Sequence, residues 1–171
     1  MKHLSLILIL IILTSVSAFS QDDAPEMPVS FGLGANLTFP LAELKDQVAT
    51  GYGLTAFLKL SVLPIVDLTG GVEYLYFTGK EVTLNNLTTD ATGTALGFIV
   101  GGRLNLLPIV YVGLETGAYG FTKKLPGGDV EITRGFLAPM GGLKLGPFDL
   151  GLRYVSAGDD TFWGLRGMIW F

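Results

Sequence analysis

Apolar and polar residues alternate one by one along most of the chain after residue 28. Between residues 29 and 39 every odd position is apolar, and every even position is Ser, Gly, Asn or Thr. A period of two predicts β-strands that present one apolar and one polar face. Eight segments carry this pattern and are the predicted strands: residues 29–39, 52–60, 66–77, 94–104, 109–121, 137–145, 148–155 and 161–171.

The connections between these segments alternate between tight and long. Tight turns at one end and longer loops at the other are typical of up-and-down antiparallel barrels. The sequence therefore predicts an all-β fold, an eight-stranded antiparallel up-and-down β-barrel. The tight links contain Pro64, Pro108 and Pro147, and the polar loops cover residues 40–50, 79–92, 122–133 and, more briefly, 156–160.

Two local features modify this pattern. Leu41, Leu44 and Val48 have helical spacing, which predicts a short surface helix in the first long loop. Pro139 lies inside the sixth strand and has no N–H for a ladder hydrogen bond. Because a closed barrel has no free edge, we expect a bulge or a local break at this proline.

The volumes of the two faces indicate which one points outward. The apolar face carries large side chains such as Leu54, Leu68 and Tyr74, whereas the other face is rich in glycine, for example Gly71 and Gly97. An eight-stranded barrel has room inside for modest side chains only. The bulky face is therefore predicted to point outward. Lipid is the one surrounding that tolerates a continuous exposed apolar band, so the barrel is predicted to be transmembrane.

Charged residues occupy the same alternate strand positions as the glycines, and their side chains are therefore predicted to point into the lumen. A basic residue facing mid-bilayer lipid would cost about 2–4 kcal/mol. We expect two tiers of interior ion pairs that plug the barrel. The tier near the short turns contains Lys59, Asp67, Arg103, Lys144 and Asp149, and the tier near mid-barrel contains Glu73, Glu115, Arg153 and Arg166.

Outward aromatic residues are predicted to mark the two membrane edges, where amphipathic rings prefer to lie. One set falls near the long loops and the other near the short turns. The first set is Phe39, Tyr52, Tyr76, Tyr154 and Trp163, and the second is Phe31, Phe148 and Phe171.

The N-terminal segment has the pattern of a secretory signal peptide. Lys2 and His3 precede an apolar run that ends at Leu13, followed by small residues up to Ser20. A transmembrane anchor is the alternative, but the run is shorter than the roughly 18–20 residues that span a bilayer. Cleavage after Ala18 and cleavage after Ser20 both fit. The predicted division is a signal peptide at 1–20, a short acidic periplasmic lead-in at 21–28, and the barrel at 29–171.

The amino-acid composition limits which kinds of catalytic or metal-binding site the chain can form. The 171 residues include 24 glycines, no cysteine and one histidine, His3, and 15% are charged. No disulfide or thiolate metal site is available, and removal of the signal peptide leaves no imidazole for nucleophilic catalysis. Glu73 and Glu115 could form an acid–base pair, but ion pairing with Arg153 and Arg166 is the favoured interpretation. We therefore expect no catalytic, cofactor-binding or metal-binding residue.

The last nine residues carry a more specific pattern, because an aromatic C-terminus follows alternating apolar residues. In this the chain resembles the small eight-stranded outer-membrane β-barrel proteins of Gram-negative bacteria, of the OmpA-transmembrane and opacity-protein type. The resemblance implies export through the periplasm to the outer membrane, and a C-terminal signal that the barrel-assembly machinery reads. Ile169 departs from the family pattern, in which an aromatic residue is commoner. No peptidoglycan-binding domain follows, so that role is not carried over. The implied signal residues are Trp163, Leu165, Ile169 and Phe171.

Members of this family serve as anchors, adhesins, surface-binding proteins or, rarely, enzymes. We expect a non-enzymatic, side-chain-plugged scaffold whose surface loops serve binding or envelope integrity. A narrow pore for small solutes, a lipid-modifying enzyme and a secreted soluble lipocalin-like barrel are the alternatives. The expected partners are outer-membrane lipid, the barrel-assembly machinery and an extracellular ligand of the loops. Nucleic acid is not expected, because Lys123 and Lys124 form too small a basic patch.

Overall fold

Eight antiparallel strands close into a barrel. The computed structural model describes residues 28–41, 44–45, 48–79, 81–84, 87–90, 92–125 and 128–171. The barrel order is β1-β10-β9-β8-β7-β6-β3-β2, which confirms the predicted eight-stranded up-and-down barrel, and β4 and β5 form a separate two-stranded sheet. The strands are β1 (Val29–Leu41), β2 (Val48–Leu63), β3 (Val66–Gly79), β4 (Glu81–Leu84), β5 (Leu87–Asp90), β6 (Gly93–Leu107), β7 (Val110–Leu125), β8 (Gly128–Leu145), β9 (Phe148–Ala157) and β10 (Asp160–Trp170).

Seven of the eight barrel strands are longer than predicted, and two predicted loops contain strands. The segment 79–92 holds the β4–β5 hairpin, and most of the segment 122–133 belongs to β7 and β8, which pair up to Leu125 and Gly128. The loop assignments were wrong because polar composition was given more weight than β-branched residues such as Ile132 and Thr133, which favour strands. We call this end of the barrel the loop end, and the end with the short turns the turn end.

The first connection and the N-terminus are described in part. Leu44 and Lys45 are helical, and the residues on either side of this pair lie outside the described part of the chain. β1 reaches Leu41 and β2 starts at Val48, so the predicted loop 40–50 is shorter than expected. The predicted signal peptide and nearly all of the predicted lead-in also lie outside the described residues. Within the described part, no helix is long and apolar enough to cross a membrane.

Pro139 interrupts one ladder and leaves the other intact. β8 runs without a break, and Pro139 lies opposite Leu114 of β7 in unchanged register. On the β9 side the paired residues skip from Leu137 to Met140. The missing N–H of proline explains this gap. The predicted local break is therefore present towards β9, and the register towards β7 shows no bulge.

The bulky apolar face points outward, as predicted. Leu54 is 70% exposed and Phe98 is 63% exposed, and similar residues follow on every strand of the barrel. Towards the loop end, Tyr52 pairs with Tyr76 at 5.4 Å between ring centroids, and Tyr154 pairs with Trp163 at 5.1 Å. We call this outward face the apolar belt. Its members include Phe31, Leu33, Leu37, Phe39, Leu54, Leu68, Val72, Tyr74, Leu96, Phe98, Val100, Leu114, Leu137, Leu150, Leu152 and Ile169.

The interior holds far larger side chains than the volume argument allows. Phe57, Tyr111, Tyr119, Phe162 and Trp170 are all buried. The expectation of a lumen lined by small residues was wrong in this respect. The structural reason is cross-strand pairing with glycine, because most of these rings lie directly opposite one. The glycine pairs are Phe57–Gly71, Tyr111–Gly142, Tyr119–Gly97 and Trp170–Gly32.

Gly70 and Gly71 provide a matched test of this packing, since they are neighbours on opposite faces of β3. A Cβ at Gly71 would meet the Phe57 ring at 2.6 Å, whereas a Cβ at Gly70 would meet only the Ile99 carbonyl oxygen at 3.9 Å. We expect Gly71→Ala to lower the free energy of unfolding by about 1–3 kcal/mol through overpacking. Gly70→Ala should leave it unchanged or raise it by up to about 1 kcal/mol. Denaturant titration measures both, and equal effects would contradict the packing.

Candidate functional site

The charged interior of the barrel is the candidate site, and its residues come from seven strands. Period-two alternation directs all nine predicted charged side chains inward. Seven are buried, and Lys59 and Lys144 are half-buried at the turn end. The residues are Lys59 on β2, Asp67 and Glu73 on β3, Arg103 on β6, Glu115 on β7, Lys144 on β8, Asp149 and Arg153 on β9, and Arg166 on β10.

Four of these residues form a closed ion quartet at mid-barrel. Arg166 Nη1 lies 2.6 Å from Glu115 Oε1, and Arg166 Nη2 lies 3.1 Å from Glu73 Oε2. Arg153 pairs with Glu73 and lies 3.5 Å from Glu115 Oε2. Each carboxylate therefore contacts both guanidinium groups. All four side chains are at most 3% exposed, so the quartet is a neutral unit inside the protein.

Neutral polar groups complete the quartet. The Tyr119 hydroxyl donates a hydrogen bond to Glu73 Oε1 at 2.8 Å and accepts one from Arg153 Nη1 at 3.2 Å. Arg166 Nε donates to Asn36 Oδ1 at 3.2 Å, and its guanidinium lies 4.6 Å from the centre of the Phe57 ring. Buried charges are tolerated when they are both paired and hydrogen-bonded, and this arrangement meets both conditions.

The turn-end tier divides into two groups. In the first, Asp149 Oδ2 accepts hydrogen bonds from Arg103 Nη1 at 2.9 Å and from Trp170 Nε1 at 2.7 Å. The Arg103 guanidinium also lies 4.7 Å from the Tyr111 ring centre. Trp170 was not among the predicted site residues. The alternation could have identified it, because Trp170 has the same parity as Arg166 and therefore points inward from β10.

The second group surrounds Asp67. Its carboxylate accepts hydrogen bonds from Ser61 Oγ at 2.7 Å and from Asn105 Nδ2 at 3.1 Å, and it lies 3.5 Å from Lys144 Nζ. Lys144 Nζ also donates to Asn105 Oδ1 at 2.7 Å. Lys59 differs from the expectation of an ion pair. Its Nζ lies 4.4 Å from the Trp170 ring centre, and no carboxylate of the described residues lies within ion-pair distance of it.

Above the quartet, towards the loop end, most buried side chains are apolar, and Thr38 and Asp160 are buried polar residues at the same end. Tyr119 contacts Phe136 at 4.7 Å and Phe162 at 6.0 Å between ring centroids, and Phe162 contacts Phe77 at 6.3 Å. Leu44, from the first connection, and Val48, the first residue of β2, belong to the same buried cluster. We call this the aromatic cluster. It was not predicted, because it depends on which glycine lies opposite which ring.

A further ion-paired group lies at the rim of the loop end, where Arg134 is half-buried, Asp159 is exposed and Asp160 is buried. Arg134 Nη1 lies 3.4 Å from Asp159 Oδ2, and Arg134 Nε lies 3.5 Å from Asp160 Oδ2. Among the described residues, no group of three or more acidic, His or Cys side chains could hold a metal ion. The arrangement inside the barrel can fill and close the lumen, and both mid-barrel carboxylates are engaged by arginine.

The predicted C-terminal signal residues lie together on one face. Trp163, Ile169 and Phe171 are exposed on the outward face of β10 and at its end, and Leu165 is half-buried on the same face. They lie along the outward face, with Gly167 between Leu165 and Ile169, and are separate from the inward row that carries Arg166 and Trp170.

Comparison with known proteins gives structural likeness only. No protein-family model matches the chain, and no curated protein matches it. The attachment invasion locus protein Ail of Yersinia pestis is 14% identical, with a TM-score of 0.59 over 85% of this chain and 99% of Ail. Ail in complex with the heparin analogue sucrose octasulfate gives a TM-score of 0.57 at 15% identity, over 83% of this chain and 96% of Ail. Neisserial surface protein A is 15% identical, with a TM-score of 0.55 over 83% of this chain and 95% of that protein. At identities this low, the TM-scores show a shared barrel fold and nothing more.

The quartet can be tested by breaking it in part and then removing it whole. Arg166→Met leaves Glu73 and Glu115 buried beside one arginine, and we expect it to lower the free energy of unfolding by about 3–5 kcal/mol. The quadruple variant Glu73→Gln, Glu115→Gln, Arg153→Met, Arg166→Met should recover most of that loss, because no uncompensated charge remains.

Asp159→Asn is the matched control, since it removes the exposed carboxylate of the rim group and leaves the buried Asp160 paired with Arg134. It should cost less than about 1 kcal/mol. Denaturant titration of all three variants provides the measurement. A quadruple variant that is less stable than Arg166→Met, or an Arg166→Met that costs no more than Asp159→Asn, would show that the quartet is not a coupled unit.

Proposed function

We propose that the chain is a non-enzymatic integral outer-membrane protein of a Gram-negative bacterium, whose plugged barrel is a scaffold for extracellular binding elements. The observation that carries the proposal is the apolar belt, which encircles a closed barrel whose charges are buried inside. Soluble monomers expose contiguous apolar patches of no more than a few hundred Å². Hydrocarbon is a surrounding in which such a belt is favourable.

The ends of the barrel suggest its orientation. Small outer-membrane barrels place short turns in the periplasm and long connections outside the cell. By that rule the turn end, with the links at Pro64, Pro108 and Pro147, is periplasmic, and the loop end is extracellular. The pairs Tyr52–Tyr76 and Tyr154–Trp163 then lie at the outer interface, where amphipathic rings are favoured.

The filled lumen supports a scaffold and not a pore. A solute would have to pass the Asp67 and Asp149 groups, then the ion quartet, and then the aromatic cluster. The last of these contains fully buried rings such as Phe162 and Tyr119. The arginines that hold Glu73 and Glu115 also leave neither carboxylate free for acid–base chemistry, which favours a non-enzymatic role.

The β7–β8 hairpin supports binding at the cell surface. β8 pairs with β9 only from Leu137 onward, whereas it pairs with β7 from Gly128. Of the strands that the structure describes, none pairs with the second edge of residues 128–136. A free strand edge offers backbone N–H and C=O groups to an extended peptide, which can add as a further strand. The names of Ail and neisserial surface protein A describe attachment and surface location, which agrees with this role.

The outward row of β10 fits the role of an assembly signal. Trp163, Leu165, Ile169 and Phe171 lie on the lipid side, where the barrel-assembly machinery would reach them before closure. This role rests on the family resemblance, and the placement of the four residues on one face supports it.

Epitope insertion tests the location and the orientation. An epitope placed between Leu125 and Gly128 should bind antibody on intact Gram-negative cells that express the chain with its N-terminal segment. The matched control is the same epitope in the turn at Gly146, which should bind only after the outer membrane is permeabilised. Detection of the Gly146 epitope alone on intact cells would reverse the orientation, and recovery of the protein in the aqueous fraction without detergent would refute the membrane assignment.

Conductance separates the scaffold from the narrow pore. In a planar bilayer at neutral pH, we expect the reconstituted protein to give no steady single-channel current, because three filled layers occupy the lumen. A porin reconstituted in the same way supplies the positive control, and heat-modifiable gel mobility confirms that the barrel is folded. Steady current from the folded wild-type barrel would support the pore instead.

A further inference from the structure

The turn end of the lumen carries more cations than carboxylates. Among the described residues, the inward charged side chains at this end are Lys59, Asp67, Arg103, Lys144 and Asp149, which gives three cations and two carboxylates. Asp149 pairs with Arg103, and Asp67 pairs with Lys144. Lys59 is therefore left without a carboxylate partner in the part of the chain that the structure describes.

The surroundings of Lys59 do not replace the missing negative charge. Its Nζ lies 4.4 Å from the centre of the Trp170 ring, and the guanidinium group of Arg103 lies 5.4 Å from the same ring centre. Lys59 is half-buried, so its ammonium group has lost part of its hydration. Charges in such positions are normally paired and hydrogen-bonded. The mouth at the turn end therefore lacks one anion.

Further hydrogen-bond donors lie at this mouth. Ser30 of β1 lies directly opposite Lys59 on the inward face, and Lys144 is a charged neighbour of Lys59. All three side chains are half-buried, so a ligand can reach them from outside the barrel. A carboxylate has two oxygens that accept hydrogen bonds from hydroxyl and ammonium donors. The arrangement fits one carboxylate group.

The rim of the mouth is apolar, and this indicates what carries the carboxylate. The turns at this end expose Leu63, Ile65, Leu107 and Ile109, each by more than half of its surface. A small hydrated anion gains nothing from these side chains. A peptide can place apolar residues against them while its carboxylate lies beside the lysine.

We propose that the turn-end mouth binds a carboxylate of an acidic peptide segment, with Lys59 as the counter-ion. The carboxylate would lie beside Lys59 Nζ and the Ser30 hydroxyl, and would balance the charge of the mouth. The assignment of this mouth to the periplasm rests on the proposed function. The scaffold would then have a binding site on its periplasmic side in addition to its extracellular elements.

Two sources can supply the peptide. The predicted lead-in contains Asp22, Asp23 and Glu26, which lie outside the described residues. The described chain starts at this mouth, because Ser61 N donates a hydrogen bond to the Pro28 carbonyl oxygen at 3.2 Å. Two residues of extended chain span at most about 7 Å, so Glu26 is within that distance of Pro28. The other source is a separate periplasmic polypeptide, which the mouth would tether to the barrel.

Carbodiimide cross-linking tests the first source, because it joins an amine to a carboxylate that contacts it. In folded protein that retains the lead-in, we expect peptide mapping to find amide links from Lys59 to Asp22, Asp23 or Glu26. The triple variant Asp22→Asn, Asp23→Asn, Glu26→Gln should lose these links. Its Lys59 should also react about tenfold faster with an amine-labelling reagent, because one charge-assisted contact is lost. Asp159→Asn, at the loop end, is the control and should change neither result.

An acetylated synthetic peptide of residues 21–28 tests binding in trans to the triple variant. It should protect Lys59 from labelling in a saturable manner, whereas the same peptide with amides in place of its three acids should not. Peptide affinity should be retained in Lys59→Arg and fall about tenfold in Lys59→Met, each made in the triple variant. Heat-modifiable gel mobility checks that every variant folds. Inorganic phosphate at equal ionic strength should protect Lys59 far less than the peptide does.

Links within one chain would support the site and assign it to the lead-in. Their absence, with protection of wild-type Lys59 by the added peptide, would support the site and assign it to a separate polypeptide. Equal labelling of Lys59 in every variant, with and without peptide, would overturn the proposal. Equal protection by phosphate would overturn the choice of a peptide. A reversed orientation in the epitope experiment would refute the proposed function and leave this site intact, because cross-linking and labelling use purified protein.

Discussion

Each member of the ion quartet lies directly opposite a glycine on a neighbouring strand, and the rest of the structure depends on this pairing. The four pairs are Glu73–Gly97, Glu115–Gly101, Arg153–Gly164 and Arg166–Gly151. A Cβ on Gly164 would lie 2.8 Å from Arg153 Nε, and one on Gly101 would lie 2.9 Å from Glu115 Cγ. At each of these four positions, one adjacent strand contributes no side chain, which leaves room for the buried charge. Glycine therefore makes it possible to close a barrel of eight strands around four ionised groups.

The need to pair buried charges also links the last two strands to strands earlier in the chain. Both arginines of the quartet come from β9 and β10, whereas both glutamates come from β3 and β7. The turn-end tier repeats the arrangement, because Asp149 of β9 and Trp170 of β10 meet Arg103 of β6. A barrel that lacks its last two strands would leave two carboxylates without their cations in a low-dielectric interior. The C-terminal hairpin thus supplies the partners that make the closed state favourable.

Sequence reasoning predicted the architecture because one-by-one alternation reports directly on which face a residue occupies. It placed Leu54 outward and Glu73 inward without any knowledge of register. Register itself is not encoded in the alternation, because shifting a strand by two residues preserves both faces. For that reason the sequence predicted a glycine-rich interior, but it did not predict which rings would pack against which glycines. Phe57 packs against Gly71, and Tyr119 packs against Gly97.

The remaining differences also have local causes. Lys59 points inward like the residues that form ion pairs, but its ammonium group lies against the indole of Trp170 and not beside a carboxylate. β8 continues the alternation through Glu131, Ile132 and Thr133, before the predicted start at residue 137, but the polar composition of this segment was interpreted as a loop. Pro139 affected only the ladder towards β9, since a proline in a strand loses hydrogen bonding on the side to which its nitrogen points.

The orientation of the two faces can be measured directly by spin labels placed one at a time at residues 52–58 of β2, in protein reconstituted into phospholipid vesicles. We expect collisions with dissolved oxygen, which concentrates in hydrocarbon, to be most frequent at Tyr52, Leu54, Ala56 and Leu58. They should fall at Gly53, Thr55 and Phe57. The opposite phase, or no alternation along the strand, would contradict a barrel with its charges inside and its apolar belt in lipid.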